Sequence, residues 1–224
     1  DPVETRPATR EITIRDLLTH TSGLGYNSTE KTGPIYEENG IISGISTSNI
    51  TLKAMMERLG PLPLRFNPGE KWQYSMSPDV LGRVVEVASN TTLDRFIEDQ
   101  LCRPLGMKDT FFIVPSDKRH RVVPAYLPVE GGIRKIAHGE SLHYLKTPVS
   151  ADYHLEPNKY YSGGGGLCSK AAFTTLFNWA VGTRLRDCLK IDFEWFNSAL
   201  MFLPVWPVIN AIGTYHIVRN VSRR

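Results

Sequence analysis

A helix start written as Ser77-Pro78, followed by Val80, Leu81, Val84, Val85 and Ala88 at helical spacing, sets the frame for everything around it. Serine suits the cap and proline the first turn, so the pattern predicts a helix ending near Ser89-Asn90. The segment feeding it, Pro61 to Tyr74, reads as extended and turn-rich, with Pro68-Gly69 as the tightest turn. An extended run delivered into an amphipathic helix needs a substantial core behind both. A chain of 224 residues can supply one, since at this size roughly 70% of the unfolded surface is hidden. With 41% hydrophobic and 22% charged residues, a disordered tail, a collagen and a coiled coil are all excluded.

Other elements are legible on the same grounds. Thr13 and Asp16 form a capping-box pair for a short helix from about Ile14 to His20, with Ile14, Leu17 and Leu18 as its apolar stripe. Residues 22–50 are polar, carry glycine and show no sustained period, which predicts a long surface excursion. A second helix is expected from Leu52 to Leu59, with Met55 and Met56 inward, stopped by Gly60-Pro61. Thr92 is placed to cap a helix facing Leu93, Phe96, Ile97 and Leu101 inward before Pro104. Strand candidates are Thr110–Val114 and Arg121–Tyr126, and the glycine-rich run Tyr160–Gly166 feeds a helix expected at about 169–181.

The tail changes character. Trp195 to Val218 contains no charged residue, and Arg219, Arg223 and Arg224 follow. A run above about 18 such residues qualifies as a candidate membrane helix. Pro204, Pro207, Asn210 and His216 inside it argue for a packed segment instead, with membrane attachment through 195–218 as the alternative. From Ala180 onward six basic residues face three acidic ones, which accounts for the whole net charge of +3. That charge is small and lies at one end, so no nucleic-acid partner is expected. Cys102, Cys168 and Cys188 are too few and scattered for a disulfide framework or a zinc site, and the six histidines form no HExxH, so no metal is expected. The absence of a charged-then-apolar leader favours a cytoplasmic location. Sequons at Asn27, Asn49, Asn90 and Asn220 pull the other way, toward export.

Few residues invite chemistry. Ser28 and Lys31 make a formal S-x-x-K, and Lys31-Thr32-Gly33 a formal K-T-G, but one lysine cannot serve both posts, so this reads as a chance match. Tyr74 lies between an extended segment and a helix start, where a hydroxyl can face a cleft. Only about one free tyrosine in a thousand is phenolate at pH 7, so as a base it would need a nearby cation. The alternative is a half-buried tyrosine anchoring a turn. Gly163–Gly166 could cradle a phosphate on backbone N–H groups, yet no Gly-Lys-Ser/Thr follows, and close backbone approach explains the run as well. His20, ending a short helix, is expected to interact with the last carbonyls.

Four stretches, taken together, carry a family resemblance. They are Ile12-Thr13-Ile14-Arg15-Asp16-Leu17-Leu18-Thr19-His20-Thr21-Ser22-Gly23-Leu24, Pro68-Gly69-Glu70-Lys71-Trp72-Gln73-Tyr74-Ser75 with Asp79-Val80-Leu81-Gly82, Pro104-Leu105-Gly106-Met107-Lys108-Asp109-Thr110-Phe111, and Ser162-Gly163-Gly164-Gly165-Gly166-Leu167. In order and interval they resemble the serine β-lactamase-related family: class C β-lactamases, penicillin-binding-protein-like esterases and related acyltransferases. The resemblance covers about residues 1–181, leaving 182–224 as a divergent apolar and basic tail. It implies an incomplete α/β (α+β) serine β-lactamase/transpeptidase-like fold, mostly the helical lobe with part of the α/β lobe.

The resemblance also implies roles. Tyr74 matches the tyrosine of a Tyr-x-Asn motif, the general base and acid that serves a nucleophilic serine. Met76 stands where many members have asparagine and has no amide to donate, a departure that looks more like the esterase and acyltransferase branch. The family's S-x-x-K precedes the Thr-His-Thr-Ser-Gly stretch, so the nucleophile and its lysine are expected upstream of residue 1, and the chain alone is expected to be inactive. The acyl donor would be a small-molecule ester, amide or thioester, with no cofactor. A non-catalytic binding or scaffold protein that keeps the helical lobe is the rival reading.

Overall fold

The computed structural model describes residues 4–42, 44–144 and 147–170. Five α-helices precede two β-hairpins: α1 (Ile14–Leu18), α2 (Gly33–Glu38), α3 (Leu52–Leu59), α4 (Ser77–Ser89) and α5 (Leu93–Ile97). A π-helical turn, Glu98–Cys102, extends α5, and a 3₁₀ helix spans Ser116–Arg121. The hairpins pair β1 (Tyr126–Val129) with β2 (Gly132–Lys135) and β3 (Ser141–Tyr144) with β4 (Thr147–Ser150), both antiparallel. Gly131, at φ +79°, supplies the left-handed residue of the two-residue turn between β1 and β2.

Helix α4 is the centre, packed against α1, α3 and α5. Around it lies one apolar core: Leu17 from α1, Tyr36 from α2, Leu52, Met55 and Leu59 from α3, Leu93 from α5, and Met76, Phe112 and Tyr160 from the connecting segments. Burying a side chain such as Leu52 or Met55 stabilises by about 1.5–3 kcal/mol. Gly82 sits mid-helix where α4 meets α3 and α5. A Cβ there would approach Leu93 to 2.8 Å and Leu52 to 3.2 Å, so close packing offsets the roughly 1 kcal/mol a helical glycine costs.

The capping box of α1 forms as expected: the Asp16 N–H donates to Thr13 Oγ1 and the Thr13 N–H donates to Asp16 Oδ2. The Arg10 guanidinium donates two further bonds to the same carboxylate, at 2.7 and 2.9 Å. These donors, Arg10 foremost, hold Asp16 well below the usual carboxylate range. The bounds of α3 are as read from sequence, and α4 ends at Asn90 in the left-handed region (φ +53°).

Several expectations are corrected. Residues 22–50 are no surface excursion: they contain α2, and Leu24, Asn27, Tyr36 and Ile41 are buried. Polarity disguised this segment, because a buried polar group such as Asn27, whose Nδ2 donates to the Ile41 carbonyl, is bonded within it. The Asn27 sequon is thereby enclosed, while Asn49 and Asn90 are exposed. Of the apolar stripe of α1 only Leu17 is buried, and Ile14 and Leu18 are exposed. Ser77 is the first residue of α4 and makes no capping bond, since its hydroxyl is turned to other serines. The buried stripe of α4 is Asp79, Gly82 and Glu86, with Val80, Val84 and Val85 half-buried and Val87 and Ala88 exposed. Thr92 makes no side-chain cap; Glu86 Oε1 accepts from the Leu93 N–H in its place. Leu101 is partly exposed. Of the strand candidates, Phe111 forms only a bridge with Cys168, and Arg121–Tyr126 becomes the end of the 3₁₀ helix and a linker, where Pro124 lacks a donor, with only Tyr126 entering a strand, β1. Residues 169 and 170 are not helical. The rest of the helix expected to 181, the 182–224 tail and the 195–218 run lie outside the described residues. Among the described residues no helix is long and apolar enough to cross a membrane.

Candidate active site

The four motif stretches meet around the N-terminus of α4. Backbone hydrogen bonds lash residues 20–25 to residues 65–76: Arg65 N–H to the Gly23 carbonyl, Gly69 to Thr21, Gln73 to His20 and Met76 to Gly25. Gly23 sits at φ +84° with its α-carbon hard against the Phe66 carbonyl, a position with no room for a side chain. The stretch around Phe111 joins through mutual N–H···O bonds with Cys168 at 2.8 and 2.9 Å, just beyond the glycine-rich loop.

Tyr74 is half-buried at the end of this ladder, three residues before α4. Its ring lies 5.0 Å from that of His20 and 5.5 Å from that of Tyr26, both tilted by just under 40°. Such contacts each contribute about 0.5–1.5 kcal/mol beyond burial and fix the direction of the phenol. His20 is buried (1% exposed), and its backbone N–H donates to the Leu17 carbonyl of α1 at 3.4 Å. Its backbone is left-handed (φ +55°), which turns the imidazole inward so that Nδ1 lies 3.3 Å from Ser75 Oγ. Ser75 Oγ is 2.7 Å from Ser77 Oγ, which is 2.8 Å from Ser22 Oγ.

The glycine-rich loop docks on α4 itself. Ser162 donates to the buried carboxylate of Asp79 at 2.5 Å, and the Gly164 N–H donates to Ser162 Oγ. Gly163 packs its α-carbon onto the Pro78 carbonyl, so close approach is what this run of glycines provides. A phosphate there would face the Asp79 carboxylate and find the Gly164 N–H engaged, so the loop is not a phosphate cradle. Burial pushes Asp79 up to about 6, against opposing hydrogen bonds led by Ser162.

The formal S-x-x-K falls in a turn, with Lys31 exposed, whereas a nucleophile of that class needs a helix start. Met76 is wholly buried within the apolar core. Among the described residues no group of three or more His, Cys, Asp or Glu side chains is gathered for a metal. Reasoning from sequence singled out Tyr74 but missed Ser22, Ser75, Ser77, Asp79 and Ser162. No local pattern marks them, because the bonds that join them span 55 positions for Ser22 and Ser77 and 83 for Asp79 and Ser162.

Comparison with known proteins agrees with this arrangement. The Beta-lactamase family model matches residues 1–181. Esterase EstB of Burkholderia gladioli is 37% identical over 168 residues, covering 71% of this chain and 42% of the esterase. Monacolin J acid methylbutanoyltransferase of Aspergillus terreus is 34% identical over 102 residues, 46% of this chain and 23% of the transferase. Among solved structures, EstCE1, a hydrolase with promiscuous acyltransferase activity, aligns with TM-score 0.64 and 30% identity over 72% of this chain and 43% of that one. Simvastatin synthase from Aspergillus terreus aligns with TM-score 0.55 and 24% identity over 86% of this chain and 43% of the synthase, a likeness of fold. The chain thus spans about two fifths of the esterases it matches. It belongs to the Beta-lactamase family, in its esterase and acyltransferase company, and has the serine β-lactamase/transpeptidase-type fold in part.

Proposed function

We propose that these residues form the Tyr74-bearing lobe of a serine esterase or acyltransferase that works through an acyl-serine. The observation that carries the reading is the setting of Tyr74: half-buried, flanked by the His20 and Tyr26 rings, at the head of the central helix. In that role Tyr74, as the phenolate, takes the proton from the nucleophilic serine as it attacks the ester carbonyl, and the resulting phenol then gives it to the departing alkoxide. Backbone N–H groups of the assembled site stabilise the tetrahedral oxyanion. The acyl group passes to water or to another alcohol. Small-molecule esters are the expected donors, a choice supported by the esterase and methylbutanoyltransferase relatives and by the apolar Met76 in place of an amide.

The serine and lysine of this chemistry are proposed to lie outside residues 1–224, because the one S-x-x-K of the sequence sits in a turn. The 224-residue chain alone is then inactive. Treatment with a fluorophosphonate probe followed by intact-mass measurement tests this directly. No adduct is expected on the chain alone, and one adduct on a longer protein carrying an S-x-x-K segment ahead of Asp1. In that longer protein Tyr74→Phe should lower kcat for a p-nitrophenyl ester by about 10²-fold or more. An adduct on the chain alone, mapped to Ser28, would overturn the assignment of the nucleophile. Unchanged turnover in Tyr74→Phe would overturn that of Tyr74.

A further inference from the structure

We propose that His20 is a positioning residue for Tyr74, held as the neutral Nε2–H tautomer by a chain of three buried serine hydroxyls. The inference rests on the reading of Tyr74 as the acid–base group. It starts from four side chains, His20, Ser75, Ser77 and Ser22, each no more than 1% exposed. They form an unbroken line: Nδ1 to Ser75 Oγ at 3.3 Å, Ser75 to Ser77 at 2.7 Å, Ser77 to Ser22 at 2.8 Å. Enclosed away from solvent, the hydroxyl hydrogens take the direction that counting donors and acceptors within the line gives.

Two backbone N–H groups fix the count. Leu24 donates to Ser22 Oγ at 3.2 Å, and Ser77 donates to Ser75 Oγ at 3.3 Å. If the hydrogens run Ser22 to Ser77 to Ser75 to Nδ1, every hydroxyl donates once and every hydrogen finds an acceptor. If they run the other way, from an Nδ1–H, the Ser22 hydrogen is left with no acceptor among the described residues. A buried hydroxyl without a partner has given up its bonding to water and gained nothing in return. The first direction therefore prevails. Nδ1 accepts, and the imidazole proton sits on Nε2.

The backbone is shaped for the same end. Apart from Asn90, His20 is the only non-glycine residue with positive φ among the described residues. Such a conformation is strained for a residue that carries a Cβ and persists only where its surroundings fix it. Here they do: the Gln73 N–H donates to the His20 carbonyl at 2.8 Å, one residue before Tyr74. The imidazole touches three side chains of that segment, the ring of Trp72 at 6.3 Å, the ring of Tyr74 at 5.0 Å and the hydroxyl of Ser75. Any rotation of the imidazole moves the phenol against it. The serine chain, by fixing Nδ1, fixes the face on which Tyr74 rests.

The test needs no catalysis for its first arm. Two-bond 1H–15N correlation on the histidine-labelled 224-residue chain at pH 7 should show His20 with a pyridine-like Nδ1 and a protonated Nε2. A protonated Nδ1, alone or together with Nε2, would overturn the proposal, and this wild-type spectrum decides it whether or not any variant folds. The second arm uses the longer, S-x-x-K-bearing protein and ester turnover. Asn tolerates the left-handed backbone and keeps a polar atom for Ser75 but has no ring under Tyr74, while Phe keeps a ring without the bond to Ser75. His20→Asn, His20→Phe and Ser75→Ala should therefore each lower kcat about 10-fold or more with KM little changed. A kcat equal to wild type in all three would overturn the positioning role. A silent Tyr74→Phe in the same assay would instead remove the premise and leave the tautomer result standing.

Discussion

Ser162 hydrogen-bonds the carboxylate of Asp79 at 2.5 Å, joining residues 83 positions apart, both buried. The bond holds the glycine-rich loop on the first turn of α4, the helix whose head presents Tyr74. Gly44 lies against the same Ser162 hydroxyl, so three segments close on one point.

That bond has a pH signature. Burial pushes Asp79 up to about 6 from an ordinary value of 3.8, so the folded chain holds this proton more tightly than the unfolded chain. The associated stability is fully present below about pH 4 and is lost as pH rises through about 6. Asp79→Asn keeps an acceptor for Ser162 and removes the titration. Its stability relative to wild type, from urea unfolding, should improve by on the order of 1–3 kcal/mol between pH 4 and pH 7. A difference independent of pH would refute this account. Ser162→Ala should cost about 1–3 kcal/mol at pH 7, where it leaves a buried carboxylate short of a donor.

Neighbouring glycines of the loop should behave differently. A Cβ on Gly163 would run into the Pro78 carbonyl, a backbone atom that cannot step aside, whereas one on Gly164 would meet nothing nearer than 3.4 Å. Gly163→Ala is therefore expected to cost about 1–3 kcal/mol or more, and Gly164→Ala less than about 1 kcal/mol. Thermal melts of the two variants side by side check this, and equal losses would place the loop differently on α4.

How much of this was legible in the sequence depends on the range of the interactions. The Thr13–Asp16 box, the limits of α3 and the stop at Asn90 rest on residues within a few positions of each other, and all were readable. The face that α4 buries was not, because valines mark a stripe while Asp79 and Glu86 are drawn inward by Ser162 and by the Leu93 N–H. Likewise Ser77 looks like a cap until Ser22, 55 residues earlier, claims its hydroxyl. Tyr74 stood out by its place before a helix, but the rings of His20 and Tyr26 that flank it come from a segment about 50 residues away, a distance no local pattern spans.

Asp16 should show the opposite pH dependence to Asp79. Hydrogen bonds from Arg10, and then from Thr13 and Thr21, hold its carboxyl far below its ordinary value. The stability this contributes is present above about pH 4 and falls away as pH drops toward the folded value. Asp16→Asn should cost about 1–2 kcal/mol near pH 7, the range for a lost helix cap, and the gap should narrow by pH 2.5. Urea titrations at both pH values measure it, and a gap that widens in acid would contradict the assignment.

Met76 tests whether the proposed preference for esters can be reversed by one residue. The family's more familiar motif has asparagine there, donating an amide N–H to substrate, but the Met76 side chain is 0% exposed and belongs to the cluster formed by Leu17, Leu52 and Tyr160. An amide in that cluster loses methionine's packing and finds no water. Met76→Asn should therefore cost about 2–4 kcal/mol of stability. In the longer, catalytically complete protein it should bring no gain in hydrolysis of a β-lactam or anilide relative to a p-nitrophenyl ester. Were the variant to keep its melting temperature and acquire amide turnover, the side chain at 76 would have to reach the cleft, and the preference for esters would rest on this residue alone. Loss of stability without new activity locates the preference in the packing beneath Tyr74, where a single polar substitution cannot restore the missing donor.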